Sequence, residues 1–237
     1  CEIQTLYRET NLGCKIAVSE AISWFFDCEE YGVILEDDCM PDLSFFPYCE
    51  ELLLRYKDDE RVGHISGNCF FPNIVDSSLS YDFCSITHIW GWASWRRVWR
   101  NYEVNFPYWA EALKDKYKRK SLFTSLREEI YFSSFLPDIL NDKINTWDTQ
   151  YVFMLRLYHM LSIYPKTNMV TNIGLQSADA THTLSTQSKR LFVPSDTMSF
   201  PLKHPQYLLS NLRIDSISAK NVFSIKRLLR YCFKFIL

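Results

Sequence analysis

Apolar and polar positions change period several times within the first seventy residues. Over residues 13–30, Ala17, Ala21, Trp24, Phe25 and Cys28 recur at helical spacing, with Glu20, Ser23 and Asp27 on the opposite side. Residues 31–35 are a short unbroken apolar run of the kind that forms a buried strand, and it stops abruptly at Glu36, Asp37 and Asp38. Asp42 or Ser44 is placed to cap a second helix ending near Tyr56, with Phe45, Phe46, Cys49, Leu52, Leu53 and Tyr56 on one face. Residues 62–66 read as another strand, closed by Gly67. Helix, strand, acidic turn, helix, strand predicts an α/β fold, with a mostly parallel sheet flanked by helices.

The middle of the chain is less regular. A strand is expected over 83–86, a helix after Trp95 as far as Tyr102, helices over 121–140 and 147–160, and short strands over 161–164 and 169–173 around Pro165. Residues 174–188 are polar and loop-like. At the end, Val222, Ile225, Leu229, Cys232, Phe233 and Ile236 form an apolar stripe. Lys220, Lys226, Arg227, Arg230 and Lys234 accompany it, with no acid after Asp215. Residues 215–237 are therefore expected to be a basic amphipathic helix, distinct from a body over 1–214. Its stripe suits docking on that body or peripheral contact with an anionic membrane surface.

The composition narrows the class. Of 237 residues, 47% are hydrophobic and 23% charged, which suits a buried core and excludes a disordered chain. Aromatics reach 16%; such rings fill cores or line pockets for ring-shaped ligands. A net charge of -2 argues against a nucleic-acid partner. The eight cysteines make no CxxC pair, so neither a zinc ribbon nor a thioredoxin-type site is expected. Their apolar neighbours suggest a reducing, cytoplasmic setting. The chain has neither signal peptide nor initiator Met and opens as if within a loop, so a part N-terminal to it is expected.

Three consecutive acids after a buried strand repel one another, and the ends of strands in an α/β sheet are where ligands bind. A divalent cation would relieve that repulsion. Mg²⁺ and Mn²⁺ take oxygen ligands, commonly one or two carboxylates plus substrate phosphates. Asn11-Leu12-Gly13, the following helix and Val33-Ile34-Leu35-Glu36-Asp37-Asp38 resemble the nucleotide-sugar half of GT-A glycosyltransferases. The likeness is strongest to the animal N-acetylglucosaminyltransferases that build N-glycans and to their bacterial relatives. It continues through Pro41, Phe45-Phe46 and Ile65-Ser66-Gly67. Gly91-Trp92-Ala93-Ser94-Trp95 resembles the Gly-Trp segment of the acceptor half, Trp147-Asp148 the segment carrying the catalytic base, and residues 177–183 a loop that closes over the diphosphate.

That resemblance implies a GT-A, Rossmann-like fold whose first nucleotide-binding strands are missing from this chain. It implies an inverting transfer from a nucleotide-diphospho-sugar donor to a glycan or lipid-linked acceptor; the basic C-terminal helix adds the expectation of peripheral contact with the inner face of the membrane. Asp38 would hold Mn²⁺ or Mg²⁺, and Glu36 and Asp37 would face the ribose or the sugar. Asn11 belongs to the donor loop, with Arg8, Lys15 and His182 as candidate partners of the diphosphate. Gly91, Trp92 and Trp147 would meet the acceptor, and Asp148 would be the general base. Asp148 is equally suited to the first turn of a helix, and the tryptophans near Gly91 to core packing. Two other readings stay open. One is a catalytically inactive sugar-binding or scaffold member of the fold. The other is a metal-dependent nucleotidyltransferase, against which the lack of a GxxxxGK[ST] phosphate loop counts.

Overall fold

The computed structural model describes residues 2–106, 108–176 and 192–222. In chain order the elements are α1 (Gly13–Cys28), β1 (Tyr31–Ile34), β2 (Cys39–Pro41), α2 (Phe45–Arg55), β3 (Val62–Ser66), β4 (Tyr81–Cys84), β5 (Trp92–Trp95) and α3 (Arg96–Trp99). Next come α4 (Tyr108–Lys114), α5 (Lys116–Leu122), α6 (Leu126–Leu140), α7 (Asp148–Leu157), β6 (Leu161–Pro165), β7 (Val170–Asn172), a 3-10 turn (Ile173–Gln176) and α8 (Leu212–Val222). The fold is mixed α/β.

The main sheet has the order β1-β5-β3-β6-β4. β5 runs antiparallel to both β1 and β3, β4 runs antiparallel to β6, and β3 with β6 is its one parallel pair among the described residues. The expected mostly parallel sheet is thus corrected to a mostly antiparallel one. The crossover β1–α2–β3 does return β3 in the direction of β1, as helix-linked strands do. β5, which the apolar pattern did not announce, is inserted between them and runs the other way.

β1, β3 and β6 consequently end at one edge of the sheet, and β5 begins there. Gly67, just past β3, donates its N–H to the carbonyl of Gly91, just before β5, at 2.8 Å. Gly91 has φ +67°, and a Cβ on it would lie 2.8 Å from Val170 Cγ2, so only glycine suits this crossing. Below that edge, β2 and β7 pair in a small antiparallel ribbon, and Ile173 N–H donates to the Asp38 carbonyl at 2.8 Å. The chain leaving the acidic turn is thereby fastened to the chain leaving β7.

The core beneath the edge is aromatic. Trp92 stacks on Trp147 with centroids 5.9 Å apart and on His64 at 5.4 Å, while Trp99 lies flat on Tyr102 at 4.3 Å. His64 Nε2 faces the His88 carbonyl at 2.9 Å and so carries the proton, leaving Nδ1 to face the Tyr151 hydroxyl at 3.3 Å. Burial lowers the pKa of both His64 and His88 to about 3. Arg156 on α7 pairs with the fully buried Glu128 on α6, which joins the two helices.

At the end of the described chain, α8 starts three residues before the expected boundary at 215. Asp215 is 1% exposed and accepts from Ser85 N–H, Ile86 N–H and Ser210 Oγ, so this turn of helix is built into the body. No helix among the described residues is long and apolar enough to cross a membrane.

Candidate functional site

β1 ends where its side chains leave the sheet, and there Glu36 is half-buried, Asp37 exposed and Asp38 half-buried. A turn closed by Cys39 N–H on the Glu36 carbonyl, 3.0 Å, holds the three acids together. The Trp147 indole lies beside the Glu36 carboxylate and favours its charged form. Asp148 is the first residue of α7, directly after Trp147. Loss of hydration is the largest effect on Glu36, and the charges of Asp38, Asp148 and Asp37 add to it. Together they raise its pKa to about 7, although Trp147 pulls the other way. The four carboxylates therefore share one electrostatic neighbourhood, although Glu36 and Asp148 are far apart in sequence.

Asp148 is held in place. Its Oδ1 accepts from Thr146 Oγ1 at 2.5 Å and from Thr149 Oγ1 at 3.1 Å. Its place in the first turn puts the carboxylate at the positive end of α7. The loop leading to it is clamped onto the start of α1. Asn145 Oδ1 accepts from Lys15 N–H at 2.6 Å, and the Lys15 ammonium meets Asp142 Oδ1 at 2.8 Å. Tyr102 donates its hydroxyl to the Trp147 carbonyl at 3.2 Å. Burial raises the Tyr102 pKa, and so, to a lesser degree, does the Asp148 charge.

Among the described residues no group of three or more His, Cys, Asp and Glu side chains is gathered to hold a metal ion. A hard cation that keeps waters and phosphate oxygens needs only one or two protein oxygens, and these are present. A Cβ on Gly174 would fall 2.5 Å from Asp38 Oδ2 and 3.1 Å from Asn172 Oδ1. One carboxylate oxygen and one amide oxygen thus lie beside each other against Gly174, where any side chain would collide with them. This all-oxygen donor set suits Mg²⁺ or Mn²⁺. The nearby Cys39 thiol is 3.6 Å from Asp38 Oδ1. Burial raises its pKa to about 12, so it is not a thiolate ligand.

Compared with protein-family models, with curated proteins and with solved structures, the chain matches none. The geometry alone then distributes the expected site residues. Glu36, Asp37, Asp38, Trp147 and Asp148 come together. Asn11 is exposed and accepts from Gly13 N–H at 2.8 Å, so it shapes the turn into α1. Lys15 and Arg8, expected at a diphosphate, are engaged elsewhere: Lys15 with Asp142, and Arg8 with Glu20 at 2.6 Å. Gly91 is buried at the β3–β5 crossing. Trp92 and Trp147 are each 1% exposed, so neither offers a ring face to an acceptor; they pack the floor under the acids. His182 lies outside the described residues.

Three residues at the site were not foreseen. Asn172 and Gly174 are brought up by the β2–β7 ribbon. Cys14, at the start of α1, has its pKa raised first by loss of hydration and then by the Glu36 and Asp148 charges beside it. Gly174 opens a polar stretch in the sequence, which is a weak signal. Nothing local marks Cys14 or Asn172.

Proposed function

We propose that the protein is a metal-dependent, inverting glycosyltransferase that moves a sugar from a nucleotide-diphospho-sugar to a hydroxyl of a glycan or lipid-linked acceptor. One observation carries this reading: the strand-end acids and Asp148 converge, with Glu36 raised to about 7 by its acidic neighbours. Such crowding of carboxylates is costly unless positive charge arrives with a ligand. A second support is the agreement between this convergence and the order of motifs along the chain. The GT-A architecture is part of the proposal.

In this reading Asp148 is the general base. Its Oδ1 is fixed by Thr146 and Thr149, which leaves Oδ2 to accept the proton of the acceptor hydroxyl. The hydroxyl oxygen bonds to the anomeric carbon as that carbon's bond to the diphosphate oxygen breaks, and a single displacement inverts the configuration. A divalent cation on Asp38, with Asn172 Oδ1 as a further oxygen, would offset the negative charge growing on the departing diphosphate. Glu36, beside Trp147, faces the donor.

The test is nucleotide release by the full-length protein from a panel of UDP-, GDP- and CMP-sugars, with and without Mn²⁺ or Mg²⁺. Release should need the cation. Asp148→Asn should lower turnover at least about 100-fold while donor binding persists, on the usual worth of a general base. Equal release in chelator, or an unchanged rate for Asp148→Asn, would overturn the reading.

A further inference from the structure

Outside the cleft residues, the sequence Lys114-Asp115-Lys116-Tyr117-Lys118-Arg119-Lys120 places five cations against one acid in a chain whose net charge is -2. It forms the end of α4 and most of α5. Lys114, Lys116, Lys118 and Lys120 are exposed, and none has an ion-pair partner among the described residues. The nearby acids are already engaged. Asp115 caps α5 by accepting from Tyr117 N–H and Lys118 N–H, Glu129 takes Arg119, and Glu128 takes Arg156. Glu111 on α4 is the remaining exposed carboxylate of this corner.

Apolar groups stand among these lysines. Tyr117 is 80% exposed and Leu126, at the start of α6, is 69% exposed. Arg127 Nη1 donates to the Lys220 carbonyl at 2.8 Å, so the end of α8 meets the same corner and adds Lys220 to it. The chain continues from there through residues 223–237, which hold Lys226, Arg227, Arg230 and Lys234 and no acid.

We infer that the α5 corner, formed by Lys116, Lys118, Lys120, Tyr117, Leu126 and Lys220, is a docking surface for an anionic lipid bilayer. Lysine ammonium groups would sit among lipid phosphates and carboxylates. Tyr117 and Leu126 would enter the boundary between headgroups and acyl chains, where amphipathic side chains are favoured. A nucleic-acid backbone would satisfy the lysines and leave Leu126 in water. α6 leads away from the corner to the loop that carries Asp142 and Asn145. At 1.5 Å per residue its 15 residues span about 22 Å. The inference is independent of the reaction in the cleft.

The test is co-sedimentation of the full-length protein with vesicles of phosphatidylcholine alone or mixed with phosphatidylserine. Binding should require phosphatidylserine and weaken as salt rises. The variant Lys116→Glu/Lys118→Glu/Lys120→Glu, whose side chains are all in solvent, should keep its thermal midpoint and bind at least about 100-fold more weakly, at roughly fivefold per basic side chain near the surface. Tyr117→Ser/Leu126→Ser should keep the salt dependence and lose the binding that persists at high salt. Equal binding to both kinds of vesicle, undiminished binding by the triple variant, or displacement from vesicles by DNA or RNA at equal charge would each overturn the inference.

Discussion

The indole of Trp147 lies beside the carboxylate of Glu36 and favours its charged form, which couples the end of β1 to the start of α7. The Trp147 ring cannot swing away, because Trp92 stacks on one side and Tyr151 lies against it at 6.1 Å. The core thus sets where Glu36 sits, and the residue after Trp147 is Asp148. Packing and site geometry are the same fact here.

Trp147→Phe should therefore act on the site before it acts on the fold. A ring stays and the indole goes. The Glu36 midpoint should rise above about 7, since the lost indole favoured the charged form. The stability cost should be about 1–3 kcal/mol, for a smaller buried ring. A carboxyl-carbon NMR titration of Glu36 and denaturant unfolding read the two effects separately. A midpoint that did not move would mean that the indole has no hold on the carboxylate.

Gly174→Ala tests the oxygen pair. The new methyl would lie 2.5 Å from Asp38 Oδ2, closer than side-chain atoms tolerate, and a tight 3.1 Å from Asn172 Oδ1. One of the two oxygens must move. Mn²⁺ affinity, measured by calorimetry with donor nucleotide present, should fall about 10- to 100-fold, as when groups supporting a metal site are disturbed. Unfolding should change less than metal affinity, because the atom that must give way is the far end of the Asp38 side chain.

The first elements were legible because each has a clean period. The strand expected over 62–66 is β3, and the helix expected over 13–30 is α1. β5 was not legible. Trp92, Ala93, Ser94 and Trp95 are all buried, since the strand lies inside the sheet with covered faces, and a four-residue run without alternation carries no strand signal. Missing it produced the parallel-sheet expectation. At the site, Glu36 and Asp148 were legible as chemistry at a strand end and a helix start. That Lys15 belongs to Asp142 was not, because Asp142 sits in a turn with φ 52° whose direction no local pattern predicts. Nor could sequence tell that Trp92 is a floor and not a wall, since a tryptophan reads alike in either place.

Glu36→Gln should stabilise the protein at alkaline pH. The folded pKa of Glu36, about 7, lies above its ordinary value of 4.5. Between those values the folded state holds a proton that the unfolded state has released. The stability that this proton brings is complete below pH 4.5 and is lost as pH rises through 7. Glutamine resembles the protonated acid at every pH. The variant should gain ~2 kcal/mol at pH 8 and close to nothing at pH 4.5, on about 1.4 kcal/mol per unit less some screening. On the proposed reading, saturating Mn²⁺ should shrink the gain, because a cation at Asp38 would stabilise the ionised cluster of the parent protein.

His64 and His88 work in the opposite direction, and the two effects can be separated. Each imidazole is kept neutral by burial down to about pH 3, whereas in the unfolded chain each takes a proton near 6.5. Stability from these depressed groups is present above 6.5 and falls away as the pH drops toward 3. Around pH 5.5 the unfolded chain thus holds about two extra protons at the histidines while the folded chain holds about one extra at Glu36, so about one proton is taken up on unfolding. Unfolding free energy measured in urea from pH 6.5 to 5 should then fall by about 1.4 kcal/mol per unit in the parent protein. Glu36→Gln should roughly double that slope, and His64→Gln should nearly abolish it whatever the variant costs in absolute stability. A parent slope of zero, unchanged by His64→Gln, would mean that the histidines are not held neutral in the core.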